Sequence, residues 1–146
     1  MSSLSEQLQA ALTAARKSKD KDRTQLLGTV LAALKNREIE LARAATDDEV
    51  LEVLQRGVKT RRESVEQYTK GAREDLAAQE RAEIRMIEEF LPPAADPAEV
   101  RAAVRAAVAA GATDIGKVMG RVMPQFKGRA DGKVIQQMAR EELAQG

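Results

Sequence analysis

The sequence predicts an all-α protein, and three observations lead to this prediction. Alanine supplies 26 and leucine 13 of the 146 residues, and both are strong helix formers. Aromatic side chains, which favour strands, make up only 2% of the chain. Apolar residues recur at three- and four-residue spacing between residues that cap helices. We expect about four N-terminal helices, a proline-rich hinge and a C-terminal three-helix bundle, in domains 1–91 and 96–146.

The first predicted helix begins after Ser3, which forms a capping box with Glu6, and it ends at Lys17. A polar turn follows, in which Asp20 or Asp22 can cap the second helix. The apolar stripe of the first helix consists of Leu4, Leu8, Ala11, Leu12 and Ala15.

The second predicted helix runs to about Ala45. Gly28 in its middle costs roughly 1 kcal/mol relative to alanine, and we interpret it as the mark of a close contact with another helix. The apolar positions of this helix are Leu26, Leu27, Val30, Leu31, Leu34 and Leu41.

The third predicted helix begins with a second capping box, formed by Thr46 and Glu49, and stops at Gly71. Oppositely charged residues four positions apart, such as Glu52 and Arg56, favour an exposed helix. A fourth helix extends from about residue 73 to 91. Its inward positions are Leu76, Ile84, Ile87 and Leu91.

The clearest boundary in the chain is the segment 91–97, because Pro92 and Pro93 cannot continue a helix. Asp96 caps a fifth helix, whose valines at positions 100, 104 and 108 face inward, and Gly111 stops it.

Two further helices complete the predicted C-terminal bundle. The sixth begins near Thr113 or Asp114, and Pro124 distorts its end. Asp131 caps the seventh. The inward positions of these two helices are Ile115, Val118, Met119, Val122, Met123, Val134, Ile135, Met138 and Leu143.

Composition excludes several classes of chemistry. The chain has no cysteine, no histidine and no tryptophan, so disulfides, serine–histidine or cysteine–histidine catalysis and histidine-ligated haem are excluded. Glu80, Glu83, Glu88 and Glu89 have helical spacing, but di-iron carboxylate bundles also need histidine, and we interpret these acids as a solvated face. Because no glycine-rich phosphate-binding loop follows a strand and the chain has no Walker motif, ATP binding has no support. We therefore expect no catalytic residues, no metal and no cofactor.

Charge and hydropathy predict a cytoplasmic protein with no membrane contact. The formal net charge is only +1, and the longest stretch without a charged residue, from Thr24 to Leu34, is shorter than the roughly 20 residues of a membrane span. The N-terminus also lacks the pattern of a signal peptide.

The densest group of cations lies between Ile115 and Lys133, a segment that we call the basic bend. It carries five cations against Asp131 alone, and cations around a helix start attract phosphate. The functional interpretation is an RNA interface in which Gly128 and Gly132 let the RNA backbone approach. The cations are Lys117, Arg121, Lys127, Arg129 and Lys133.

A purely structural interpretation of the basic bend stands beside the functional one. Gly128 can end one helix in a left-handed conformation, and Asp131 can cap the next. Gly116 and Gly120, four residues apart, can admit either a packed helix or a nucleic-acid backbone, and we favour packing.

The motif Gly116-Lys-Val-Met-Gly120, with Met123-Pro124 and the run from Lys127 to Gly132, resembles the signature of the GatB/YqeY family. The resemblance covers nearly the whole chain. It implies the fold of the tail of the B subunit of glutamine-dependent tRNA amidotransferase. Gly132 stands where that tail tends to carry proline, which favours a stand-alone YqeY-like protein.

The resemblance implies a module that binds tRNA or a tRNA amidotransferase or synthetase complex in translation, without chemistry of its own. One alternative is an accessory component of a carbon–nitrogen ligase that uses glutamine as amide donor. The other alternative is a scaffold for protein–protein interaction. The sequence leaves the oligomeric state undetermined.

Overall fold

The computed structural model of the chain describes residues 3–145, and over this range it holds seven α-helices and no strand. The all-α prediction is therefore confirmed. Within the same range, no helix combines the length and the apolar character that a membrane crossing requires. The helices are α1 (Leu4–Lys17), α2 (Lys21–Leu41), α3 (Asp47–Lys70), α4 (Glu74–Glu88), α5 (Pro97–Ala109), α6 (Ile115–Val122) and α7 (Gly132–Gln145), with a 3-10 helix at Met123–Phe126.

The chain divides into two compact units, of which unit 1 ends at Leu91 and unit 2 begins at Pro92. Unit 1 contains α1 to α4, and unit 2 contains α5 to α7. That these units are domains in the sense of independent folding, with bounds 1–91 and 96–146, stays a prediction.

Unit 1 is held together by leucine, isoleucine and valine side chains from all four helices. Leu8, Leu54 and Ile87 lose nearly all contact with solvent, and α3 and α4 pack along much of their length. Burial of each such side chain contributes about 1.5–3 kcal/mol. The buried cluster consists of Leu8, Leu12, Ala15, Leu26, Leu27, Val30, Leu34, Val50, Leu54, Val58, Ile84 and Ile87.

Side-chain caps fix the starts of α1, α2 and α3 where the sequence predicts them. Ser3 accepts a hydrogen bond from the Glu6 N–H, and Asp20 accepts one from the Arg23 N–H. Thr46 and Glu49 form the reciprocal capping box at the start of α3. These caps satisfy N–H groups that have no partner inside the helix.

Two expectations about α2 are wrong. The helix ends at Leu41 and not near Ala45, because Ala42 adopts a left-handed conformation with φ 57°. Gly28 marks no close helix contact, since a Cβ atom built there would have no neighbour within 4 Å.

Unit 2 has its own core, built from valines of α5 and α6 and from Ile135 and Ala139 of α7. Asp96 caps α5, with Pro97 in its first turn, and Gly111 follows the helix with φ 104°. These three predicted features are confirmed. The core residues are Val100, Val104, Ala107, Ala112, Val118, Val122, Phe126, Ile135, Met138 and Ala139.

The structure agrees with one prediction around Pro124 and contradicts another at Val134. The end of α6 is distorted as expected, because the chain continues as a 3-10 helix that contains Pro124. Val134 lies outside the core and is 47% exposed. Met123, also predicted to face inward, is exposed as well.

Candidate nucleic-acid interface

Helix α6 positions the first cations of the basic bend. Asp114 caps the helix by accepting a hydrogen bond from the Lys117 N–H at 2.9 Å. Val118 and Val122 are fully buried, so the opposite face is turned to solvent. That exposed face consists of Gly116, Lys117, Gly120 and Arg121.

The glycines of α6 do not serve the packing that we favoured from the sequence. A Cβ atom at Gly120 would meet nothing within 4 Å, and at Gly116 it would meet only the Asp114 carboxylate, at 3.3 Å. No described helix packs closely on either glycine. The surface of α6 is therefore open to solvent at Gly120.

Arg121 caps the C-terminal end of α5. Its Nη1 donates to the carbonyl oxygens of Ala107 and Ala110, both at 3.4 Å. Carbonyls at a helix C-terminus lack intrahelical partners, and a guanidinium there also suits the helix dipole. Arg121 thus has a structural task within unit 2, although its side chain is exposed.

Lys117 is the most weakly held cation of α6. Its Nζ lies 3.9 Å from an Asp114 carboxylate oxygen, and both side chains are 60% exposed. An exposed pair at this separation contributes little to stability, because water and salt screen it. The Lys117 ammonium can therefore exchange this partner for an anion from solution.

Gly128 and its neighbours form a tight turn after the 3-10 helix. Gly128 is buried with φ 76°, and the N–H groups of Arg129 and Ala130 donate to the Phe126 carbonyl oxygen. Glycine is favoured there because other residues are strained at positive φ. The structural interpretation of Gly128 is confirmed, and its buried backbone is not presented to a ligand.

Arg129 is neutralised inside unit 2. Its Nη2 lies 3.2 Å from a Glu99 carboxylate oxygen, and its Nε donates to the Pro93 carbonyl oxygen at 3.3 Å. Its guanidinium also lies over the Phe126 ring, 5.9 Å from the centroid. Arg129 is therefore engaged within unit 2 by a carboxylate, a carbonyl oxygen and an aromatic ring.

The start of α7 carries Lys133 beside the predicted cap. An Asp131 carboxylate oxygen accepts the Lys133 N–H at 2.9 Å, so Asp131 serves as the sequence predicts. Gly132 lies against Met123, whose Cε would be 3.3 Å from a Cβ atom built on the glycine. The side chains of Lys127 and Lys133 are exposed.

The four glutamates of α4 and its C-terminal end do not form the plain solvated face expected from the sequence. Glu83 pairs with Arg61 at 3.4 Å, Glu88 with Arg62 at 3.5 Å and Glu89 with Arg23 at 2.6 Å. These arginines tie α2 and α3 to α4.

Glu80 has an electrostatic environment of its own. Burial, followed by the neighbouring negative charge of Glu83, raises the pKa of the Glu80 carboxyl above its usual value. Within residues 3–145, no group of three or more aspartates and glutamates could hold a metal ion.

Two features of the charge distribution escaped the sequence analysis. Glu142 is buried between Arg101 and Arg105, and only the three-dimensional structure brings these residues together. A second group of exposed cations lies around the turn between α1 and α2. Its local density, four cations between residues 16 and 21, was visible in the sequence.

Comparison with known proteins agrees with the resemblance drawn from the motifs. The chain is 34% identical over 76 residues to an uncharacterized protein of Schizosaccharomyces pombe, a match that covers 52% of this chain and 62% of the relative. This chain thus aligns with less than two thirds of that relative's length. A family model described as Yqey-like protein matches residues 5–143. Because that match covers almost all of the sequence, the chain belongs to the YqeY-like protein family.

Proposed function

We propose that the protein is a non-catalytic module that binds tRNA in the cytoplasm through the lysines of the basic bend. The observation that carries the proposal is the exposed face of α6, where Lys117 lies near Gly120, at which an added Cβ atom would meet nothing within 4 Å. Phosphate contacts from lysine and from exposed backbone N–H groups dominate sequence-independent binding of nucleic acids.

The cations of the basic bend divide into two roles under this proposal. Arg121 and Arg129 hold the bend in shape through carbonyl oxygens, Glu99 and the Phe126 ring. The exposed lysines at positions 117, 127 and 133 then contact phosphates. This division departs from the interpretation made from sequence, in which all five cations contact RNA.

Electrostatic balance supports the same assignment. Between Ile115 and Lys133 the chain carries a net charge of +4, and pairing of Arg129 with Glu99 still leaves an excess of cations. Such an excess on one surface raises the local concentration of an anionic polymer and speeds its association.

The experiment measures binding of fluorescently labelled unfractionated tRNA by anisotropy over a series of KCl concentrations. The bend variant replaces three exposed lysines by glutamine: Lys117, Lys127 and Lys133. The control variant makes the same change on unit 1: Lys35, Lys59 and Lys70. Both variants lose three positive charges, so they differ only in where the charges are removed.

We expect the bend variant to bind more weakly and with a smaller salt dependence. Loss of three phosphate contacts lowers the slope of log K against log [KCl] by about 2–3. The control variant keeps the wild-type slope. Absence of tRNA binding by the wild-type protein at low salt, or equal binding by the two variants, would refute the proposal.

A second candidate function is that of an accessory component in glutamine-dependent tRNA amidotransfer. The observation in its favour is that the motif from Gly116 to Gly132, which resembles the amidotransferase subunit tail, lies wholly within unit 2. Affinity capture with purified amidotransferase subunits tests it. Capture would have to survive nuclease treatment, because an RNA bridge could otherwise produce it.

A further inference from the structure

The turn between α1 and α2 carries a second group of cations, in unit 1. Four exposed cations lie at the end of α1, in the turn and at the start of α2. None of them forms an ion pair within residues 3–145. They are Arg16, Lys17, Lys19 and Lys21.

These four cations differ from the arginines of unit 1 that form ion pairs. Seven arginines of unit 1 pair with a carboxylate, and the first of them, Arg23, follows directly after the turn and pairs with Glu89. The residues with such pairs are Arg23, Arg37, Arg43, Arg61, Arg62, Arg73 and Arg81. Three of these pairs, those of Arg23, Arg61 and Arg62, join other helices to the end of α4, whereas the cations of the turn make no such pair.

The turn holds its cations in a fixed arrangement. The N–H of Lys19 donates to the Arg16 carbonyl oxygen at 3.2 Å, and the N–H of Asp20 donates to the Ala15 carbonyl oxygen at 3.0 Å. Asp20 then accepts the Arg23 N–H at 3.1 Å. A surface ordered in this way loses little backbone freedom when it binds a ligand.

The helix dipole accounts for only two of these four cations. Arg16 and Lys17 lie in the last turn of α1, where positive charge suits the helix dipole. Lys21 is the first residue of α2, where the dipole opposes positive charge. Lys19 has φ 59°, a conformation that favours glycine, and the other two such non-glycine residues in the described chain are alanines.

Residues that break a local rule without a compensating contact are expected at functional sites. Lys19 and Lys21 break such rules, and both are exposed without an ion pair to a described residue. We propose that the α1–α2 turn is a second phosphate-contacting surface, which binds the RNA backbone with Lys19 and Lys21 at its centre. This inference rests on the proposed function for the class of ligand.

The decisive variant is Lys19→Gly combined with Lys21→Gln. Glycine relieves the left-handed strain at position 19, and glutamine removes a charge that opposes the dipole of α2. A structural role for the two lysines predicts a lower melting temperature. A binding role predicts an unchanged or higher melting temperature together with weaker RNA binding.

The measurement uses labelled unfractionated tRNA and thermal unfolding followed by circular dichroism. We expect affinity at 0.1 M KCl to fall about tenfold or more, and the salt slope to fall by about 1.4–1.8, for two lost contacts. The matched control, Lys59→Gln with Lys70→Gln, removes two positive charges elsewhere on unit 1 and keeps wild-type binding.

The bend variant, in which glutamine replaces Lys117, Lys127 and Lys133, distinguishes binding by the turn from binding by the basic bend. If it loses affinity while the turn variant binds like its control, the turn surface is refuted and the bend stands. If only the turn variant loses affinity, the bend is refuted and the turn stands. A wild-type protein that binds no tRNA at low salt overturns both.

Discussion

The guanidinium of Arg101 lies 2.8 Å from a carboxylate oxygen of Glu142, the only charged residue that is buried within residues 3–145. Arg105 approaches the same oxygen to 3.1 Å. This arrangement joins α5 to α7 across unit 2. The two arginines replace the hydration that the Glu142 carboxylate loses on burial.

We predict that Glu142→Gln lowers the melting temperature more than Glu141→Gln does. Both substitutions remove one negative charge from α7, but Glu141 is more exposed and lies 3.4 Å from Arg101. Replacement of Glu142 leaves two arginines without their shared carboxylate. Thermal unfolding of the two variants checks this, and an equal change in both would contradict it.

Glu49 gives the protein a predicted acid-sensitive contribution to stability. The hydrogen bond from Arg43, followed by the one from the Thr46 N–H, lowers the pKa of the Glu49 carboxyl from 4.5 to about 2. A lowered pKa in the folded state stabilises the protein above the unfolded-state value, and this stabilisation is lost as the pH falls. The window of loss therefore runs from about pH 4.5 to about pH 2.

Urea unfolding of the wild type and of Glu49→Gln tests this window. Glutamine at the same position still completes a capping box, so the comparison isolates the charge. We expect the variant to be less stable at pH 7, and the difference to shrink as the pH falls below 4.5. A difference that stays constant down to pH 2.5 would contradict the assignment.

Replacement of a glycine by alanine should raise the free energy of unfolding at Gly28 and Gly120 and lower it at Gly111. Gly28 and Gly120 lie inside helices with no atom near an added Cβ, so alanine should stabilise each by about 0.5–1 kcal/mol. Gly111 also has open space but adopts φ 104°, so alanine there should cost about 1–2 kcal/mol. Denaturant unfolding measures all three.

Gly120→Ala has a further consequence for binding. If RNA approaches the open backbone of α6, the added methyl group should weaken tRNA binding while it strengthens the fold. Gly28→Ala provides the control, because it adds the same methyl group on unit 1. A Gly120 variant that binds tRNA like the wild type would exclude close backbone approach at this position.

Core substitutions can show whether the two units unfold separately. Leu54→Ala in unit 1 and Ile135→Ala in unit 2 should each cost about 2–5 kcal/mol, because both side chains are almost fully buried. Tyr68 is the only tyrosine and the chain has no tryptophan, so tyrosine fluorescence reports on unit 1 alone. We expect Leu54→Ala, and not Ile135→Ala, to shift the fluorescence transition. Equal shifts would show that the units unfold together.

The helix starts could be predicted from the sequence because capping is a local interaction. Contacts between helices could not be predicted in this way. Asp20, Thr46 and Asp96 cap the helices that follow them, because a side-chain oxygen bonds an N–H only a few residues away. The interpretation of Gly28 failed because whether a neighbour lies beside a glycine depends on how helices pack, and spacing does not reveal this.

The same limit applies to the basic bend. Its charge was visible in the sequence, but the pairing of Arg129 with Glu99 spans 30 positions and depends on how α5 approaches the bend. The exposed lysines could be identified from the sequence as the cations of the bend. The role of the arginines in shaping the bend could not, since their partners come from other elements.

The contacts of Arg129 also determine at which residue a fragment that contains only unit 2 should begin. The Ala95 N–H donates to the Arg129 carbonyl oxygen at 2.8 Å, and the Arg129 side chain donates to the Pro93 carbonyl oxygen. A fragment that begins at Pro92 keeps both hydrogen bonds. A fragment that begins at Asp96 lacks Pro93 and Ala95 and therefore loses both bonds. The shorter fragment would also lose the packing of Ala95 against the core of unit 2, even though it retains every helix of that unit.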